Sequence, residues 1–245
     1  MENIFLNEDM FSVMPRIADK SVHLIFADLP YNQTACAFDK DIIDLEKMWI
    51  QFKRILKPNG QVIFTTTTKF GYNLIHSNPK WFRSDLVWKK GESMVGFLLS
   101  KKAVMRNHEM IYLFHSPTKA KDLNWTYNPQ MVKGDFYKYP QRKGKVDDIY
   151  GIKRSNSLKP TTVERYPKSV INIKNGERGS IHPTQKPVEL LEWLIRTYSN
   201  EGDLVLDPCA GSASTLVACR NTGRKYIGIE MNKEYYDKAK ERINI

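Results

Sequence analysis

Apolar residues in this chain follow two rhythms. Short runs at Ile4–Leu6, Val22–Ala27 (with His23 inside it), Val62–Phe64, Met110–Phe114, Leu204–Leu206 and Tyr226–Ile229 read as buried strands. Trp81 to Lys89 alternates enough to be a further strand. Between these runs, apolar positions return at helical spacing. One set is Phe11, Val13, Met14 and Ile17. A second is Ile43, Leu45, Met48, Trp49, Phe52, Ile55 and Leu56, and a third is Leu190, Leu191, Leu194, Ile195 and Tyr198. Helices are also expected over 70–76, 213–220 and 233–242. Pro58-Asn59-Gly60 and Asn221-Thr222-Gly223 serve as stops. Strands alternating with helices predict an open α/β sheet. From Ser116 to about Ser180 both rhythms fade and Gly, Pro and charge dominate. This stretch is expected to be an insertion at 116–180 between core segments 1–115 and 181–245.

Three of the strand runs end in an acid: Asp28, Asp207 and Glu230. In an open α/β sheet, ligands bind outside the carboxyl ends of the strands. Asp28 is followed by Leu29, Pro30 and Tyr31, and this quartet suits chemistry on an exocyclic amine. The amine of adenine or cytosine is a poor nucleophile because its lone pair is delocalised into the ring. A carboxylate and a backbone carbonyl, each accepting one N–H, favour the pyramidal nitrogen that attacks. Pro30 holds the Leu29 carbonyl rigid, and Tyr31 offers a face for an unstacked base. An ordinary strand-end turn would use the same residue types.

The second acid opens a different constellation. Asp207 precedes the small-residue loop Pro208-Cys209-Ala210-Gly211-Ser212, then a helix, then a strand ending in Glu230, 19 residues after Gly211. Small residues let backbone N–H groups approach a ligand, and an acid at that offset can accept both ribose hydroxyls. The loop lacks G-x-G-x-x-G and holds no basic residue. Asp207 would repel a phosphate but suits an ammonium, which points to S-adenosylmethionine rather than a nicotinamide dinucleotide. Asp9 is a further acid at a strand-to-helix junction, where a plain helix cap is the simpler role.

Charge adds a partner. Of a formal net charge of +11 over 245 residues, residues 116–180 contribute +8, from 14 Lys or Arg against 6 Asp or Glu. Trp125, Tyr127, Phe136, Tyr137, Tyr139, Tyr150 and Tyr166 are interleaved with those bases, a composition suited to phosphates and unstacked bases. A solvated surface is the competing explanation. No apolar stretch has a membrane span's length, and the N-terminus lacks a signal-peptide pattern. Cys36, Cys209 and Cys219 form no Cys-x-x-Cys pair, which argues for reduced thiols in a cytoplasm and against zinc. His108 beside Glu109 makes a poor metal site.

The chain as a whole resembles the β group of DNA amino-methyltransferases, of phage or restriction-modification type. In that family a (D/S)PPY quartet comes first, a target recognition region follows and the cofactor loop comes last. Asp28-Leu29-Pro30-Tyr31 resembles the quartet, and its Asp form is similar to that of adenine-N6 enzymes. His182-Pro183-Thr184-Gln185-Lys186-Pro187 is similar to a segment that holds the methionine end of the cofactor. Asp207 through Thr215 resembles the DPFxGSGTT loop. The resemblance implies a Rossmann-like methyltransferase sheet with helices on both faces plus a basic recognition insertion, and S-adenosyl-L-methionine as cofactor, with no metal. It implies Asp28, Leu29, Pro30 and Tyr31 as catalytic residues. For the cofactor it implies Asp9, Asp28, His182, Thr184, Lys186, Asp207, Cys209, Gly211, Ser212, Ser214, Thr215, Glu230 and Asn232. The segments around Lys89-Lys90 and Asn107-His108-Glu109 resemble those lining the target-base pocket. Leu29 departs from the usual Pro, Cys209 from a Phe, Ala213 from a Gly and Ser214 from a Thr. The implied partner is double-stranded DNA, with no membrane. Homodimers occur in the family, though neither a dimer interface nor a restriction endonuclease partner is legible here. The expected function is methylation of adenine N6. Cytosine N4 is the nearest alternative; the rivals from other classes are a catalytically silent DNA-binding partner and a nicotinamide oxidoreductase, and RNA stays open as a substrate.

Overall fold

A computed structural model describes residues 2–31, 43–94, 96–116, 125–134, 146–147, 152–153, 163–176 and 185–243. The chain divides into two compact units. One comprises Met1–Asn128 with Lys168–Ile245, and the other is Pro129–Pro167.

Along the first unit run β1 (Ile4–Leu6), α1 (Met10–Val13), β2 (Val22–Ala27), α2 (Leu45–Ile55), β3 (Leu56–Thr66), α3 (Thr68–Ser77), β4 (Phe82–Lys89) and β5 (His108–His115). The second unit holds β6 (Val132–Lys133), β7 (Val146–Asp147), β8 (Ile152–Lys153) and β9 (Glu164–Arg165). There β6 pairs antiparallel with β9, and β7 with β8. The first unit resumes with β10 (Val170–Asn172), α4 (Val188–Tyr198), β11 (Leu204–Asp207), α5 (Ser214–Asn221), β12 (Lys225–Ile229) and α6 (Lys233–Ile243).

The main sheet has eight strands in the order β1-β12-β11-β2-β3-β5-β4-β10, and only β5 runs antiparallel to its neighbours. Side chains alternate across it, so the continuous apolar runs fill two cores at once. Ile25, Ala27, Val62, Phe64, Phe114, Leu206 and Ile227 face α1 and α2. Leu24, Phe26, Ile63, Ile111, Leu113 and Val205 face α4 and α5. Burial of both faces explains why these strands read as unbroken apolar runs.

Two features depart from the sequence expectation. Pro58-Asn59-Gly60 does not separate helix from strand. α2 ends at Ile55 and β3 begins at once, with a register shift opposite Val22 and Leu24. Proline lacks a donor, and such an irregularity is where a strand tolerates it. The basic stretch also does not stand wholly apart, because Val170–Asn172 adds β10 to the sheet edge beside β4. Trp125 stacks on His115 at 4.5 Å, the Gln61 amide donates to the Thr126 carbonyl at 2.6 Å, and Tyr127 lies 6.2 Å from Tyr198. Those two aromatics belong to the main unit.

The sheet order places the site. From β11 the chain proceeds through α5 to β12 on one side, and from β2 through α2 to β3 on the other. β11 and β2 are adjacent and parallel, with Leu206 opposite Ile25. A crevice opens at the carboxyl ends of two such diverging strands.

Candidate active site

Asp28 and Asp207 both stand at that switch point, in one cleft of about 850 Å³. Asp28 is held from three sides. Its Oδ1 accepts the Thr65 hydroxyl at 2.6 Å and the Tyr31 hydroxyl, while its Oδ2 accepts from Lys186 Nζ at 2.5 Å. Burial, reinforced by the Asp28 charge, pushes the Tyr31 phenol well above its ordinary range, so it remains an O–H donor. Its ring packs 5.5 Å from Phe70.

Lys186 is itself buried. Desolvation alone would lower its pKa, but the carboxylates of Asp28 and Glu109 more than offset that, and the net shift is upward. Glu109 Oε2 lies 3.6 Å from Lys186 Nζ, while Oε1 accepts from Lys90 Nζ. Two cations and two carboxylates thus alternate from β4 and β5 to the mouth of β2.

Asp207 has the opposite surroundings. Its Oδ1 accepts the Cys209 N–H at 3.1 Å, and the Thr215 hydroxyl also bonds to it. Burial dominates these neutral donors, and the nearby charges of Asp28 and Glu230 act in the same direction as burial. The carboxyl is raised to about 7. The loop beyond it makes a tight turn, with Gly211 at φ 50° and Ala213 at φ 56°. Arg242 from α6 fastens that loop, donating to the Ser212 carbonyl at 3.0 Å and the Ser214 hydroxyl at 2.8 Å. Cys209 lines the cleft with its sulfur 3.9 Å from Met10 Sδ, and burial keeps its thiol protonated.

Glu230 closes the far wall. Its Oε2 accepts the Gly211 N–H at 2.8 Å and its Oε1 the Asn232 N–H at 2.7 Å, leaving acceptor capacity on each oxygen. Burial raises its pKa. The Asn232 side chain caps α6, accepting from the Glu234 and Tyr235 N–H groups. Asp9 accepts the Phe11 N–H at 2.8 Å as the cap of α1, and it also lines the cleft.

The cleft therefore brings together Asp9, Asp28, Leu29, Pro30, Tyr31, Lys186, Asp207, Cys209, Gly211, Ser212, Ser214, Thr215, Glu230 and Asn232. His182 and Thr184 lie outside the described residues. Sequence reasoning missed Thr65 and Arg242. Thr65 is an ordinary strand residue until the pairing of β2 with β3 places it beside Asp28, and no local signal marks it.

A family model described as DNA methylase, for N6 and N4 methyltransferases, matches residues 22–241. The chain belongs to this DNA methylase family. It is 30% identical over 254 residues to the DNA adenine methyltransferase YhdJ of Escherichia coli K12, covering 98% of this chain and 82% of that protein. Its fold matches the crystal structure of the M1.HpyAVI–SAM complex with a TM-score of 0.65 at 21% identity, over 98% of both chains. It also matches the cytosine-N4-specific PvuII DNA methyltransferase with a TM-score of 0.66 at 16% identity, over 99% of this chain and 86% of that one.

DNA methylases of this family take their methyl group from S-adenosylmethionine, and the cleft suits that ligand. Its volume is that of a small-molecule site. Glu230 keeps acceptors for two hydroxyls, and Asp207 faces neutral donors where a cationic ammonium would stabilise its charged form. Among the described residues, no helix of this methylase is long and apolar enough to cross a membrane.

Proposed function

We propose that this methylase transfers a methyl group to the exocyclic N6 of an adenine flipped out of duplex DNA. The observation that carries the reading is the anchoring of Asp28. An ionised carboxylate has about four acceptor sites. Among the described residues, Tyr31, Thr65 and Lys186 take three of them, which leaves one for an amine N–H. Leu29 supplies the second acceptor through its carbonyl, Pro30 stiffens that carbonyl, and Tyr31 stacks on the base. When bound, S-adenosylmethionine supplies a methyl on a positively charged sulfur. Glu230 receives the ribose hydroxyls, Asp9 the adenine edge and Asp207 the ammonium. His182, Thr184 and Lys186 hold the methionine end. Cys209, Gly211, Ser212, Ser214, Thr215 and Asn232 shape the wall between them. The amine nitrogen would gain the carbon as the sulfonium S–C bond breaks to leave a neutral thioether, and would pass one proton by way of the Asp28 carboxylate to solvent; a fixed carboxylate favours both changes.

The Asp that opens the quartet and the similarity to an adenine methyltransferase over nearly the whole chain support adenine. We assign sequence recognition to the basic stretch 116–180, expected between core segments 1–115 and 181–245, although its two ends belong to the main unit and only Pro129–Pro167 forms the second. The deciding experiment uses tritiated S-adenosylmethionine, mixed-sequence duplex DNA and nucleoside analysis. N6-methyladenine is the expected product. N4-methylcytosine would keep the amine chemistry and correct the base, and unlabelled DNA would overturn the reading.

A further inference from the structure

We propose that the loop joining β4 to β5 carries an apolar wedge, Phe97 with Leu98, that enters the DNA base stack where the target base leaves it. The proposal rests on the flipped-base reading above. Both ends of this loop stand in the cleft wall, Trp88 and Lys90 on one side and Arg106 and His108 on the other. Its neck is pinned there. The Lys90 N–H donates to the Asn107 carbonyl at 2.9 Å, Lys90 Nζ is tied to Glu109, and the Ile173 N–H donates to the Lys89 carbonyl at 3.2 Å.

Beyond the neck, Gly96 takes a left-handed conformation, φ 94°, which a side chain would strain. The chain then makes a 3₁₀ turn over Phe97–Leu99, with the Ser100 N–H donating to the Phe97 carbonyl at 3.0 Å. That turn sets two apolar side chains outward, with Phe97 78% exposed and Leu98 96% exposed; Val104, further along, is 98% exposed. Large apolar side chains clustered at a loop tip mark a binding surface. The flanks identify what is bound. Lys101, Lys102 and Arg106 are exposed, and Glu92 is the only acid between Lys90 and Asn107. An apolar tip followed by exposed cations matches a duplex, with phosphates outside and stacked bases within. Carried on a loop whose neck stands in the cleft wall, the tip fills the gap that a departing base opens and keeps the base from returning.

The test is a Phe97→Ala/Leu98→Ala double variant assayed with tritiated S-adenosylmethionine on two short duplexes. Both carry a site mapped beforehand on unmethylated genomic DNA. One duplex is fully paired; in the other the nucleotide opposite the target is abasic, so the target leaves the stack easily. The expected result is a loss of at least about tenfold on the paired duplex and less than about twofold on the abasic one. Equal losses on both, or no loss on either, would overturn the wedge. Sedimentation of the same proteins reads the rival occupant, a second copy of this chain. A wild-type dimer that the variant dissolves, with equal losses on both duplexes, would make the tip a self-association surface. Genomic DNA left unlabelled by the wild type would instead bring down the function reading, and the wedge with it.

Discussion

Two neighbouring strands of this sheet end in the same residue type, and their surroundings make them different groups. Asp28, after β2, lies against a buried ammonium and two hydroxyl donors. Asp207, at the end of β11, has only neutral donors among the described residues, and burial raises it to about 7. Position in the fold brings a carboxyl to the cleft. The cations that neighbouring strands and helices deliver determine what that carboxyl does. Asp28 is held as a fixed acceptor, whereas Asp207 is a buried carboxyl that, in the proposed reading, a cationic ligand would complete.

The strongest way to break this contrast is to truncate each acid in turn. Asp28→Ala is expected to lower methyl transfer by about a thousandfold while cofactor affinity stays within about tenfold. Asp207→Ala is expected to lose affinity by at least about tenfold, with less effect on the transfer step. Single-turnover tritium transfer and cofactor titration separate the two effects, and identical profiles for the two variants would erase the distinction. Next in size is the cation that sets Asp28 apart. Lys186→Met leaves the Asp28 and Glu109 carboxyls buried without their shared ammonium. Unfolding in urea is expected to show a loss of about 3 kcal/mol, the lower end for a broken buried pair because Lys90 still serves Glu109.

A smaller effect follows from titration of Asp207. Near pH 7 the carboxyl is about half protonated in the free protein, and a bound ammonium favours the carboxylate. Below that pH a proton has to leave on binding. Affinity for S-adenosylmethionine is therefore expected to rise about fivefold from pH 6 to pH 7. Calorimetry in buffers of different ionisation enthalpy should register the proton released, and a flat profile in wild type would exclude Asp207 as the ammonium partner. The smallest expected change is Ala213→Gly in the loop that follows Asp207. A left-handed alanine is strained by about 1–2 kcal/mol. Replacing it loses a buried methyl, about 0.8 kcal/mol, and adds a glycine's backbone freedom, about 0.5–1 kcal/mol. These offset one another, so thermal unfolding is expected to shift stability by no more than about 0.5 kcal/mol. That near-equivalence would explain why alanine is tolerated where the family motif has glycine.

The sequence by itself determined the alternation of strands and helices, the acids at three strand ends, and the order of the two motifs. These are local properties: period, turn chemistry and a few consecutive residues specify them. Asp28 to Tyr31 and Asp207 to Thr215 could be read directly because each is a contiguous segment whose backbone is shaped by its own small residues and proline. Tertiary structure alone decided which distant side chains meet those segments. Thr65 reaches Asp28 only because β3 pairs with β2 in one register, and Arg242 reaches Ser214 only because α6 packs back over α5. Lys186 follows Asp28 by 158 residues, yet their charged groups meet. Neither period nor composition encodes such a distance. The chain closes it by burying the faces of one sheet, and the charges come together where the strands diverge.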